Sequence, residues 1–369
     1  MKLLSIIGSL ALSFSVVSHA QSLIEDCKKD LEFIPVFLLE NDSGARDHLV
    51  HHGQNTLDAA FRKTSDEINS ISTETQCDAQ LKNYLLNWRK DHINIRSTRL
   101  IVRDERSSPQ NTGVSLKPEI EFLSKETVLL VIPSFRFAYK QSIEDLLKEN
   151  ETQLEESLNW IIDVRRNGGG SDSSYETLLT WFISSEVINV DTSWLVTPIN
   201  IEANASICQR AAPNDPSCKS MMDTVVSLMR ATKNGEFTST STPFSYHHYN
   251  FRESATRRRV AILMDKNCGS TCEQFLLTAR QSFNVKLLGR NSAGALDYSN
   301  LRPYPLPSGK RDLIYAVSRS HRLPIMPVDV SGVSPDVLLP TPNNEEDMKL
   351  EINKVKNWLE GGSLEINNK

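Results

Sequence analysis

The chain has 369 residues, of which 39% are hydrophobic and 24% charged, with a formal net charge of −5. That apolar share can build a sizeable core, which excludes wholesale disorder, and the length fits one large domain or two medium ones. The mild acidity excludes a typical nucleic-acid binder; the one basic cluster, Arg257-Arg258-Arg259, reads as a solvated lead-in to a strand.

Residues 1–20 read as a cleaved signal peptide. Met1-Lys2 is a short positive end, Leu3 to Val17 is apolar apart from Ser and Gly, and Ser18-His19-Ala20 places small residues before a cut after Ala20. Residue 21 is Gln, not Cys, so no lipid anchor is expected, and no later run is long enough to span a membrane. The expected location is periplasmic or secreted.

Six cysteines in such a compartment read as disulfides: Cys27 with Cys77, Cys208 with Cys218, and Cys268 with Cys272. Free buried thiols are the alternative, most of all for the last pair. Metal ligation is disfavoured, because no His lies at ligand spacing from a Cys pair.

Residues 21–115 form the expected helical N-terminal domain. Leu57, Phe61, Ile68 and Ile71 recur at helical spacing, as do Leu81, Tyr84, Leu85 and Trp88, and the helical reading runs from 22 to about 96. The polar, turn-rich stretch 104–117 is the boundary. The expected core, 116–345, alternates strands and helices: strands at Thr127–Ile132, Trp160–Arg165, Val260–Met264 and Val285–Gly289, helices at Ser142–Leu158, Tyr175–Phe182 and Gln274–Ser282. That rhythm predicts an α/β fold with a mostly parallel sheet. Residues 187–257 break it and read as an insertion; 301–318 read as a hairpin about Pro307-Ser308-Gly309; Glu345–Leu359 is a closing helix, within a C-terminal helix and tail, 346–369.

Two strands end in residues that chemistry could use, and ligands in α/β sheets bind at the carboxyl ends of strands. The first is Gly168-Gly169-Gly170, which is neither a dinucleotide fingerprint nor a P-loop. Glycines let backbone N–H groups approach a ligand closely. The second is Gly269-Ser270-Thr271-Cys272-Glu273, where a strand-to-helix turn would expose the Ser270 hydroxyl beside free N–H groups. The alternative is that Ser270 merely caps the helix, with Glu273 completing a capping box.

Ile161-Ile162-Asp163-Val164-Arg165-Arg166-Asn167-Gly168-Gly169-Gly170, then Ser270-Thr271-Cys272-Glu273, Gly289-Arg290-Asn291-Ser292-Ala293-Gly294 and Gly332-Val333-Ser334-Pro335-Asp336-Val337, resemble the ordered motifs of the C-terminal-processing (tail-specific) serine peptidases. The resemblance implies a crotonase/ClpP-like spiral core beside a helical N-terminal region, with Ser270 as nucleophile. The bacterial tail-specific branch has a lysine where this chain has Ala295, and a PDZ domain where this chain has only the short stretch between His92 and Val128. The sequence looks more like the branch of the tricorn core and the retinoid-binding relatives. There, Lys90-Asp91-His92 matches the segment of the catalytic base, and Asp329 falls at the offset of the acid. Gly169 and Thr271 are then the expected oxyanion donors. His48, His51, His52, His247 and His248 compete for the role of base, the last two reading as packing or substrate-wall residues.

The expected function is an exported serine endopeptidase acting on a peptide or protein, with no metal and no cofactor. The runner-up is a non-catalytic ligand- or lipid-binding protein on the same scaffold. An acyl-CoA enzyme of the crotonase type fits the fold but not the export signal.

Overall fold

The computed structural model describes residues 7–98 and 117–364, with side chains from residue 21 onward. The signal-peptide reading of 1–20 and the boundary at 104–117 concern residues that lie wholly or partly outside the described ones, as does the tail at 365–369.

Helices α1 (Ile7–Asn41), α2 (Ala45–His52), α3 (Gln54–Ile68) and α4 (Glu74–Leu85) come first. The helical reading stops too late: residues 94–97 form strand β1 (Asn94–Ser97), because they pair with a distant strand that local periodicity does not register. Next come β2 (Glu119–Phe122), β3 (Thr127–Val131), α5 (Lys140–Glu149), α6 (Glu151–Glu156) and β4 (Asn159–Asp163). The helix expected at Tyr175–Phe182 is only α7 (Glu176–Leu179), after a 3-10 turn at Asp172–Ser174. Residues 187–257 hold β5 (Val187–Val190), β6 (Thr192–Leu195), α8 (Pro198–Ala211), α9 (Pro216–Ala231), β7 (Phe237–Thr238) and β8 (Phe244–His247). Then follow β9 (Arg259–Met264), α10 (Thr271–Ala279), β10 (Val285–Gly289), β11 (Tyr298–Pro305), β12 (Arg311–Ser320), β13 (Val337–Leu338) and α11 (Glu345–Leu359).

The first sheet has six strands in the order β13-β10-β9-β4-β3-β2, parallel except for the β2–β3 pair. Its central strands are buried on both faces, which is why they read as continuous apolar runs rather than alternating ones. Trp160, Ile162, Val260 and Ile262 turn to one face, where they meet Phe275 of α10. Ile161, Ala261 and Leu263 turn to the other and are covered by Val355 and Leu359 of α11.

The second sheet centres on β12. Strand β11 pairs along its length, β1 pairs with Arg311–Ile314, and β6 pairs with Ser318–Ser320, all antiparallel. Its core joins Leu31, Ile34, Tyr84, Trp194, Met229 and Tyr315. The N-terminal helices therefore share one core with the 187–257 region and with the hairpin.

All three expected disulfides are present: Cys27–Cys77, Cys208–Cys218 and Cys268–Cys272. The first joins α1 to α4 and the second joins α8 to α9. The basic cluster needs correction. Arg258 is 2% exposed, stacks over Trp160 and Trp181, and donates to the carbonyls of Trp181 and Leu154. A guanidinium satisfied by carbonyls and aromatic faces tolerates burial that a solvated lead-in would not need.

Candidate active site

Strand β9 ends at Met264, and the chain turns through Gly269 and Ser270 into α10. Ser270 has φ 57° and ψ −123°. An ordinary helix cap sits in the extended region, so this conformation carries strain that capping does not require. It is the conformation expected of a nucleophile on a sharp strand-to-helix turn. Capping is nevertheless present: the Ser270 N–H donates to Glu273 Oε2 at 3.1 Å, and the Glu273 N–H donates to the Ser270 carbonyl at 2.8 Å. The Cys268–Cys272 bridge closes a ring around the same turn.

Glu273 does more than cap. Its buried carboxylate also accepts from Ser292 Oγ at 2.5 Å and from the N–H groups of Gly294 at 2.7 Å and Ala295 at 2.8 Å. Burial raises its pKa, and these four donors work against that rise. The Ser270 N–H also donates to the Ala295 carbonyl at 3.0 Å, so the turn and the 292–295 segment are stitched together.

The glycine loop packs directly on this turn. A β-carbon at Gly169, where φ is +95°, would stand 2.6 Å from the Gly269 carbonyl oxygen and 3.1 Å from the Thr271 nitrogen. At Gly170 it would fall 2.1 Å from the Phe135 backbone, so neither position admits a side chain. Thr271 opens α10, and its N–H has no partner inside the helix. The expectation for Gly169 meets an obstacle: its N–H donates to Asn167 Oδ1 at 2.9 Å. Asn167, buried and also bound to the Ile132 carbonyl, uses that bond to shape the loop. Gly168 is exposed, and its N–H has no partner among the described residues.

His92 lies just before β1, also with positive φ, at 57°. Its Nδ1 faces the Tyr298 carbonyl at 2.5 Å. A carbonyl can only accept, so Nδ1 carries the proton and Nε2 is left with its lone pair. Burial lowers the His92 pKa, the Tyr298 carbonyl opposes this, and the Arg89 charge adds to it. Arg89 holds the backbone here, donating to the carbonyls of Asp91 and His92 at 2.9 Å each. Arg89 is itself paired in bidentate fashion with buried Asp42, both bonds 2.9 Å.

The segment from Ala293 to Tyr298 links the two halves. Ala295 touches Ser270, the Ala293 carbonyl lies 3.5 Å from Lys90 Nζ, and Tyr298 holds His92. No hydrogen bond joins Ser270 to His92 among the described residues; such bonds are often long before substrate binds. Asp329 does not take the ring nitrogen that sequence reasoning gave it, because the Tyr298 carbonyl occupies that place. Its Oδ1 accepts from the N–H groups of Leu296 and Asp297 at 2.6 and 2.7 Å, and Asp297 Oδ2 accepts from those of Val328 and Asp329 at 2.6 and 2.8 Å. The two carboxylates thus lock two loops together. Burial raises the pKa of Asp329, against the backbone donors and Arg89.

Among the competing histidines, His48 packs on the Tyr298 ring, and its pKa is pushed down to about 4 by burial and Arg89. His247 and His248 are exposed on and just beyond β8. A further acid at the site is Asp172, whose carboxyl accepts from the Thr271 hydroxyl. Surrounding protein and Glu176 raise its pKa to about 6, although its surface remains open to water. No local signal marks it, since its approach to Thr271 is set by the glycine loop. Among the described residues, no cluster of His, Cys, Asp or Glu could hold a metal.

A strained serine at the head of a helix, off the end of a parallel strand and beside a glycine loop, is the arrangement expected of a serine peptidase. The chain belongs to peptidase family S41, whose sequence pattern matches residues 126–339. Among solved structures, a CPAF mutant is similar with a TM-score of 0.65 at 10% identity, covering 92% of this chain and 99% of that one. Mature CPAF complexed with lactacystin follows at 0.62 and 11%, covering 91% and 98%. The photosystem II D1 C-terminal processing protease has a TM-score of 0.44 at 10% identity, covering 90% of this chain and 97% of that one. At such identities the two CPAF structures speak for the fold alone. No curated protein matches the sequence.

Proposed function

We propose that the protein is an exported serine endopeptidase with a Ser–His mechanism. Ser270 attacks the scissile carbonyl, and His92 Nε2 takes its proton and later passes it to the leaving amine. The Tyr298 carbonyl fixes the His92 tautomer, and Asp329 acts one step removed, by holding the segment that presents that carbonyl. The Thr271 N–H is one oxyanion donor. Gly168 is the better second donor, because the Gly169 N–H is engaged by Asn167.

The observation that carries this reading is the backbone of Ser270, φ 57° and ψ −123°, which a helix cap does not need. The same observation weighs against a binding-only role, since a binding scaffold gains nothing from that strain. Export, to the periplasm or outside, is supported by the N-terminal apolar run and by three disulfides. The substrate is a peptide or protein, as the family implies.

Labelling with a fluorophosphonate and mapping the peptide tests the proposal. The label is expected on Ser270 and is expected to vanish in Ser270→Ala. A protein that cleaves peptides but labels elsewhere, or not at all, would remove Ser270 from the mechanism.

A further inference from the structure

A histidine base returns its proton to the leaving amine, so the leaving half of the substrate must pass along the histidine wall. His92 is itself part of the lining of a cavity of about 710 Å³. Lys82, Leu86, Lys90, Leu301 and Ile314 line it, together with the whole of β1.

Strand β1 is an edge strand. Strand β12 pairs with it on one side, and nothing pairs with the other side among the described residues. Asn94 opposes Ile314 and Arg96 opposes Asp312, and the Thr98 N–H donates to the Lys310 carbonyl at 3.0 Å. The alternation of an antiparallel pair then turns the backbone groups of Asn94 and Arg96 toward β12, and those of Ile95 and Ser97 outward. The outward Ile95 N–H is met only by the neighbouring Asn94 side chain, at 2.8 Å. Such an edge is a template for an added strand.

The charges at the mouth have a sign. Arg96 is paired with Asp312, and Asp78 with Arg311. Lys90 is paired with Asp91 at 3.7 Å, whereas Lys82 has no ion pair among the described residues. The charge left uncompensated at the mouth is therefore that of Lys82, positive, beside Leu301 and Ile314.

We infer that this edge and cavity form the subsite for the leaving half of the substrate: an extended peptide adds to β1, sets apolar side chains in the groove and directs an acidic one toward Lys82. This rests on His92 being the base, so the test reads binding apart from catalysis. The probe is a fluorescein-labelled peptide, Ala-Leu-Asp-Leu-Asp, titrated by anisotropy onto full-length Ser270→Ala protein. It is expected to bind, and its counterpart with Lys for Asp is expected to bind roughly tenfold more weakly. Lys82→Glu, on an exposed side chain that leaves the core untouched, should weaken the acidic peptide by about fivefold. Ser97→Pro removes an outward N–H without touching the β12 ladder and should weaken both peptides alike. No binding, equal binding of the two peptides, or affinities unchanged in both variants would overturn the subsite. Phosphonate labelling of Ser270 in otherwise wild-type, Lys82→Glu and Ser97→Pro proteins reports the catalytic reading separately. A label that persists while peptide binding fails sinks the subsite alone; a missing label in all three sinks the mechanism alone.

Discussion

The parallel sheet carrying Ser270 and the antiparallel sheet carrying His92 are built by different means. Around Ser270 the strands are apolar at their centres, and the turn itself is held by short polar stitches such as Glu273 to Ser292 and Gly294; the buried cluster of Arg165, Asp163 and Glu351 anchors the glycine loop rather than the serine turn. Around His92 the structure depends on buried charges that meet across long stretches of chain. Arg89 pairs with Asp42, and Arg311 pairs with Asp30, Glu74 and Asp78. The Cys27–Cys77 bridge belongs to the same half. Apolar burial is forgiving of small changes, whereas a buried ion pair that loses one partner leaves a charge with nothing to meet it. The serine turn should therefore separate activity from stability, and the base half should couple them.

The largest expected effect tests the first statement. Ser270→Ala should lower kcat/KM by about four to six orders of magnitude while the melting temperature barely moves, since a lost cap costs only about 1 kcal/mol. His92→Ala should be nearly as damaging, and the double variant little worse than either, because the pair acts as a unit. Kinetics and calorimetry on the same preparations check both. Additive losses would mean that the two halves do not form one site.

The base half comes next. Arg89→Met should cost about 3 to 5 kcal/mol of stability, because Asp42 is left buried and unpaired. Activity should fall with it, since the His92 backbone loses its clamp. Denaturant titration beside turnover decides whether the two losses travel together. Removing the Cys27–Cys77 bridge should cost about 4 kcal/mol by chain entropy for a separation of 50 residues. The Cys208–Cys218 bridge, with a separation of 10, should cost about 2.7 kcal/mol. Equal losses would say that the entropy of the unfolded chain is not what these bridges act on.

The smallest effect is in pH. Burial and Arg89 lower the His92 pKa, so its neutral, proton-accepting form persists below the usual imidazole value of 6.5. Activity is then present above the lowered pKa and is lost as pH falls through it, so the acid limb of kcat/KM should lie below 6.5. Asp172 titrates at about 6 beside Thr271, so the profile should be repeated in Asp172→Asn. A limb well above 7 that survives that change would point to a lysine base instead.

The same contrast explains what the sequence discloses. The strands at 127–131, 159–163 and 259–264 are legible because burial on both faces writes an apolar run through their centres, and 285–289 is interrupted only by exposed Lys286. The glycine loop and the Ser270 turn are legible because their backbones admit few residue types. Strand β1 is not legible, since its partner lies more than 200 residues away and its buried residue, Ile95, also suits a helix. Nor is the engagement of the Gly169 N–H, which depends on one rotamer of Asn167. The offset from the Gly332 segment points to Asp329, but its hydrogen bonds to Leu296 and Asp297 come from loop geometry that no spacing encodes.

One attachment ties the site to a helix remote from it in sequence. Arg165, at the head of the glycine loop, pairs with Asp163 and Glu351; Arg290 meets Glu351 as well, and Arg166 meets Glu345. Glu345 and Glu351 lie on α11, whose Val355 and Leu359 also cover one face of the parallel sheet. Were α11 to lift away, Arg165 would keep Asp163 alone and that sheet face would stand open to water. The serine turn carries its own stitches, but the glycine loop beside it borrows its anchor from a helix on the far face of the sheet, so the undocking of that helix is felt at the site before anything near Ser270 has moved.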